Sequence, residues 1–327
     1  MAHYEKLNDE IVCIDTEQQR PRLAACYLIG SNGRYAFVES GTSLSVPSLL
    51  QVLTELGVPR DAVDYVMPTH VHLDHAGGAG ALMRELPNAR LVIHPRGARH
   101  MIDPSKLIAG ATAVYGEDVM RATYGEILPV PEARVIVADV AADRDFSLML
   151  GNRPLRFIDA PGHARHHYAL WDATSRGWFT GDVFGLSYRE FKHAGRDYII
   201  PTTSPVQFDP PAWATSLDRI MAKRPERIYL THYSRIDAVE TLANELREGL
   251  GAYQRIARAN AGSADRHARL YDHLMDFHLR QLHERGDPLP ETRARELLDL
   301  DVEINAQGLG VWLDHETKAT ADAHASA

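Results

Sequence analysis

Apolar and polar positions alternate in short runs over the first part of the chain. Residues 11–14, 24–29 and 35–38 read as strands. Ser31-Asn32-Gly33-Arg34 joins the last two as a hairpin, because Asn-Gly supplies the positive φ angles of a tight turn. Over 46–56 the apolar residues fall at helical spacing, and Gly57 and Pro59 end the pattern. A short apolar strand over 63–67 runs into a histidine-rich segment; a helix over 78–86 and a strand over 90–93 follow. Strand, loop, helix and strand in that order predict α/β layering.

Residues 95–126 read as irregular helix, an insertion able to shape a pocket. Further strands are expected at 135–137, 146–150, 155–158, 169–171, 178–180 and 227–230. Gly151-Asn152 marks a hairpin turn, and residues 211–222 form a helix with proline at its start. After Tyr233 the period becomes helical, giving three amphipathic helices over 238–260, 265–284 and 291–305. The chain thus divides into an α/β domain over 1–235, a helical extension over 236–317 and a small polar tail over 318–327 expected to be disordered.

Composition narrows the partners more than the fold. The 327 residues are 45% hydrophobic and 24% charged, ordinary for a soluble globular protein. The net charge of -9 is uneven: 25 Lys+Arg face 27 Asp+Glu over 1–235, and 10 face 17 over 236–327. Phosphate backbones are bound by Lys and Arg clusters, so nucleic acid is not an expected partner. No apolar run is long enough to span a bilayer, and the polar N-terminus lacks a signal-peptide core. The expectation is a cytoplasmic protein without a membrane partner. Cys13 and Cys26 sit in apolar stretches and read as small buried hydrophobes.

The chemistry concentrates in Thr69-His70-Val71-His72-Leu73-Asp74-His75. Imidazole and carboxylate are the ligand types of zinc and similar divalent ions. Alternate side chains of an extended segment point the same way, so His70 and His72 can share one ion. Asp74 and His75 then turn toward a second. In a chain of this make-up the spacing arises by chance roughly 0.003 times. Three further pieces each put a His or Asp just past an expected strand: Ala160-Pro161-Gly162-His163, Thr180-Gly181-Asp182 and Thr231-His232-Tyr233.

In this order the four motifs resemble the metallo-β-lactamase fold superfamily, in its glyoxalase II-like hydrolase branch; the resemblance covers roughly residues 11–235. It implies a four-layer αββα sandwich with the site at one edge of the two sheets. His70, His72 and His163 would hold one metal ion, Asp74, His75 and His232 a second, and Asp182 would bridge both. Zinc is the first expectation for the two ions, with iron or manganese also suited to such donors. Departures from the family pattern are Glu39 at a position often held by Asp, and Ala164-Arg165-His166-His167 in place of the usual small residues. His167 reads either as a group supporting the ligands or as simple packing, rather than as a ligand.

The resemblance implies a dinuclear hydrolase of a small acyl ester, thioester or lactone. Two cations can share a water and lower its pKa toward neutrality, giving a bridging hydroxide that attacks the carbonyl. Asp74 would orient it and pass on its proton. No G-x-S-x-G motif offers a serine nucleophile. Tyr188 is the candidate hydrogen-bond donor to the carbonyl oxygen. Arg189 and Tyr233 are weaker substrate-contact candidates, and residues 201–205 with Phe208 a candidate pocket wall. In related hydrolases C-terminal extensions form the substrate pocket or a dimer interface, so a homodimer is compatible. Histidines 273, 278 and 283 recur every five residues, which rotates around a helix and suits a solvated one. The alternatives are a small-molecule phosphodiesterase, an iron-dependent sulfur dioxygenase, disfavoured by the full second ligand set, and a regulatory metal-binding protein with weak turnover.

Overall fold

Two sheets face each other across side chains sorted by strand alternation; the computed structural model describes residues 2–203 and 205–325. The first sheet runs in sequence order through β1 (Tyr4–Lys6), β2 (Ile11–Asp15), β3 (Ala25–Ser31), β4 (Arg34–Val38), β5 (Val63–Met67), β6 (Arg90–Ile93) and β7 (Val135–Val137). Its first four strands pair antiparallel and its last four parallel. The β3–β4 turn is the expected one, with positive φ at Asn32 and Gly33. The second sheet holds β8 (Phe146–Leu150), β9 (Arg153–Asp159), β10 (Tyr168–Asp172), β11 (Gly177–Gly181), β12 (Arg227–Leu230) and β13 (Ser234–Ile236). Only β11 and β12 pair parallel there.

Parallel neighbours need crossovers, and helices supply them. α1 (Val46–Glu55), the single-turn α2 (Leu73–Ala76), α3 (Ala79–Glu85), α4 (Pro95–Ile102), α5 (Ser105–Tyr115) and α6 (Glu117–Tyr124) join strands of the first sheet, and α7 (Pro210–Met221) joins β11 to β12. In β3, Cys26 and Leu28 pack under helices α1 and α3, while Ala25, Tyr27 and Ile29 fill the space between the sheets. In β12, Ile228 and Leu230 face the other helical layer and Tyr229 faces inward. The result is the expected four-layer αββα sandwich. Both cysteines are free and buried, as their apolar surroundings in the sequence imply.

α8 (Val239–Ala259), α9 (Arg266–Glu284) and α10 (Glu291–Ala325) complete the outer helical layer. Leu246, Leu274 and Leu298 share one apolar cluster with Trp178, Val183 and Trp213, so this extension shares a core with the second sheet. Three features differ from the sequence expectation. Residues 318–325, expected to be a disordered tail, continue α10 as helix, consistent with an alanine-rich stretch carrying no proline; residues 326 and 327 lie outside the described residues. The three-residue edge strands β1 and β13 add to the expected strands. His278 is fully buried rather than solvated. Helices α5 and α6 stand apart from the main cores: Met120, Ile127 and Leu73 make a small cluster of their own with Leu107, Ile108 and Tyr124. Among the described residues, no helix is long and apolar enough to cross a membrane.

Candidate metal centre

β5, β9, β11 and β12 all end on one rim of the sandwich, and each is followed by one of the four motifs. Because β9 and β11 both pair antiparallel with β10, they run the same way as each other and as β12. Ligand sites form at carboxyl ends of parallel strands because several loops converge there on a rigid base. Beyond β5 the chain stays extended through His72, whose φ and ψ are -63° and 148°, and then coils into α2. His70 and His72 therefore lie before the turn, and Asp74 and His75 within it. Gly181, at φ +48°, must be glycine: a Cβ there would lie 2.7 Å from His167 Nε2.

The structure brings all seven expected ligands together, in two groups. His70, His72, His163 and Asp182 form one, and Asp74, His75 and His232 the other; within each the donor atoms lie inside 4.8 Å of one another. In the first, His72 Nδ1 is 2.8 Å from His70 Nε2 and 3.1 Å from His163 Nε2. In the second, Asp74 Oδ2 is 3.3 Å from His232 Nε2 and 3.5 Å from His75 Nε2. Asp182 joins them, with Oδ2 3.4 Å from His163 Nε2 and Oδ1 3.3 Å from His75 Nε2.

The far nitrogens of these rings are held by partners that fix how the rings point. Glu39 Oε1 accepts from His75 Nδ1 at 3.0 Å, and Glu39 also accepts from the Thr69 amide, Thr69 Oγ1 and Thr231 Oγ1. Its carboxylate thus ties the ends of β4, β5 and β12 together. His163 Nδ1 donates to the Thr202 carbonyl at 3.1 Å and His232 Nδ1 to the Leu23 carbonyl at 2.8 Å. Of the two readings of His167, support or packing, the first is favoured by its Nε2, which accepts from the Asp182 amide at 3.3 Å.

The donor chemistry fits a pair of divalent cations. His75 Nε2 and Asp182 Oδ1 are buried yet have no hydrogen-bond partner, a costly arrangement unless something else is bound there. Burial, with the neighbouring imidazoles adding to it, pushes His70 and His72 well below the usual imidazole range, so each keeps a free lone pair at neutral pH. Burial opposes charge on His232 too, but Asp182 and Asp74 outweigh it and hold it up at about 9. Burial likewise opposes ionisation of Asp182, and His75, His163 and His232 overcome it, holding the carboxyl well below its usual range.

Tyr188 lies close by but is turned into a different set of contacts. It is buried, with the Arg20 guanidinium 4.3 Å from its ring centre, and burial together with the nearby Asp301 carboxylate of α10 pushes its hydroxyl well above the usual phenol range. Asp301 is not among the candidates the sequence offers; burial pushes its carboxyl up to about 6. Arg189 and Tyr233 line an adjacent cleft of about 840 Å³ with Asp15, Arg22 and Glu190. Of the expected pocket wall, Thr202 and Thr203 are buried beside the first ligand group, Phe208 packs on Trp213, and Ser204 lies outside the described residues.

Comparison with known proteins agrees with this geometry. A family model described as the metallo-beta-lactamase superfamily matches residues 20–232. A metallo-beta-lactamase fold-containing protein of Sulfurisphaera tokodaii is 25% identical over 215 residues, 65% of this chain and 73% of that one. A beta-lactamase-like protein 2 homolog of Caenorhabditis elegans is 24% identical over 246 residues, 74% and 67% of the two chains. Among solved structures, a metallo-beta-lactamase family protein of Thermus thermophilus superposes with a TM-score of 0.62 at 21% identity, covering 90% of this chain and 89% of its own.

Proposed function

Since the chain belongs to the metallo-beta-lactamase superfamily, we propose that it is a two-metal hydrolase of a small acyl ester, thioester or lactone. The superfamily consists mostly of metal-dependent hydrolases, and the donor set here is of the kind that holds divalent metals. The observation that carries the two-ion reading is Asp182: one carboxylate oxygen faces each ligand group, and the oxygen on the second side, 3.3 Å from His75 Nε2, makes no hydrogen bond. Zinc suits the imidazole-rich first group best.

Two cations in these positions would supply a water of near-neutral pKa and positive charge against a developing oxyanion. The protein's own residues do the rest. Glu39 keeps His75 Nε2 aimed at Asp182 and Asp74 by accepting from its other nitrogen. Asp74 is the ligand carboxylate open to the mouth, with its side chain 27% exposed. There it accepts the proton of the attacking water and returns it to the leaving alkoxide or thiolate, giving a carboxylate and an alcohol or thiol. Tyr188, held protonated by its burial, is the donor of a hydrogen bond toward the acyl oxygen in this reading.

The test combines elemental analysis with a hydrolysis screen over thioesters, lactones, β-lactams and phosphodiesters. About two ions per chain together with acyl cleavage is the expected result. Metal-free protein that retains its activity overturns the reading.

A further inference from the structure

Thr202 supports the first ligand group at two points. Its carbonyl accepts from His163 Nδ1 at 3.1 Å, and its Oγ1 donates to the Asp182 carbonyl at 2.9 Å. What holds Thr202 in turn is a residue of α10, outside the stretch matched by the family model. Asn305 Nδ2 donates to the Pro201 carbonyl at 3.0 Å. Asn305 Oδ1 accepts from the Thr203 amide at 2.5 Å, and Thr203 Oγ1 donates back to Asn305, 3.0 Å from its carbonyl and 2.9 Å from Oδ1. The residues on either side of Thr202 are therefore pinned by one side chain.

The asparagine amide has little freedom to do otherwise. It is 2% exposed, and its Nδ2 also lies 3.3 Å from Tyr253 Oη, so both ends of the amide are engaged and its orientation is fixed. Tyr253 Oη continues to His278 Nε2, and His278 Nδ1 to Tyr198 Oη, which anchors the clamp in the helical layer. An uncharged, fully engaged amide holds its segment in one place without adding charge beside the ligands.

We infer that Asn305 is a positioning residue of the metal centre: through Pro201–Thr203 it sets the Thr202 carbonyl that holds His163, so the C-terminal helix forms part of the ion site. The inference rests on the two-ion reading. Partners one bond beyond a ligand tune metal affinity by 10–100-fold, and Asn305, acting one step further out, is expected to contribute about tenfold.

The test uses full-length protein stripped of metal and titrated with Co²⁺ alone, followed by binding and by the visible ligand-field spectrum. Wild type takes up two ions. In Asn305→Ala one ion binds about tenfold more weakly with an altered spectrum, and the other is unchanged. Adding Asn305→Ala to His163→Ala lowers affinity no further, because both act on the same ligand. Leu274→Ala opens a cavity in the same helical layer without touching the hydrogen bonds of the clamp, so it lowers the melting temperature and leaves both affinities alone. Thr203→Val removes only the hydroxyl's bond to Asn305 and weakens the same ion by a smaller factor; it reads the clamp even if Asn305→Ala does not fold. Wild-type affinities and spectrum in folded Asn305→Ala or in Thr203→Val overturn the inference, as does a loss in the double variant that adds to that of His163→Ala. Fewer than two ions on wild type overturns the two-ion reading itself, and the inference with it.

Discussion

The ligand cluster on the sheet rim and the His278 node in the helical layer are both buried and rich in imidazole, yet they differ in what their polar atoms face. At His278 every atom is met. Asn305 donates to Tyr253, Tyr253 donates to His278 Nε2 at 2.5 Å, and Nδ1 donates to Tyr198 at 2.6 Å. On the rim the outward nitrogens are met by Glu39, Thr202 and Leu23, while His75 Nε2 and Asp182 Oδ1 face each other at 3.3 Å without either making a hydrogen bond. A satisfied buried network specifies packing; one left open on one side is a site awaiting a ligand.

The contrast breaks most sharply at His72. His72→Ala removes a donor shared with both His70 and His163, and is expected to lose one ion and more than about 100-fold in turnover. Elemental analysis and initial rates check this; unchanged activity would remove the mechanism. Next comes Glu39→Gln, which keeps the shape but removes a carboxylate serving four groups. Metal affinity should fall about 10–100-fold, measured by competition with a chelator, and an unaltered affinity would return Glu39 to a packing role. Tyr188→Phe tests the mouth: kcat is expected to fall about tenfold with both ions retained, and wild-type kinetics would leave Tyr188 as packing for Arg20.

The smallest effect belongs to the closed network. His278→Leu leaves two buried tyrosine hydroxyls short of a partner and is expected to cost about 1–3 kcal/mol near pH 7. Burial pushes His278 from 6.5 to about 3 in the folded chain, so below 6.5 the unfolded chain takes up a proton that the native one refuses. That penalty grows as pH falls, by about 1.4 kcal/mol per unit, and exists only in wild type. The gap between wild type and variant in denaturant melts should therefore narrow from pH 6.5 downward; a constant gap would show that His278 is protonated in the native state.

Most of the sandwich is legible in the sequence, and so are the seven residues that the fold gathers at the candidate site. The strands over 63–67, 90–93, 135–137, 146–150 and 227–230 fall where expected because apolar runs bounded by turn residues leave little choice of register. The ligands are legible because a metal demands particular donor types at strand ends. β1 is not: Tyr4-Glu5-Lys6 is a charged edge too short to show alternation. His278 looks solvated beside the other histidines of its helix, but it shares the buried stripe of Leu270, Leu274 and Leu282. Asp301 and Asn305 sit in the same way beside Leu297, Leu298, Val302, Ala306 and Leu309. A polar residue at a core position of a helical stripe is the available signal, and what it faces depends on packing between elements far apart in sequence.

The small cluster under α5 and α6 bears on time rather than on affinity. Among the described residues, it rests on Leu73, which stands between His72 and Asp74, with Met120 and Ile127 as its other buried members. So few buried contacts make a unit that opens locally at much lower free energy than the sandwich beneath it. Local opening of these two helices is therefore expected many times within the lifetime of the folded protein, and faster amide hydrogen exchange over residues 105–124 than over the sandwich strands would show it.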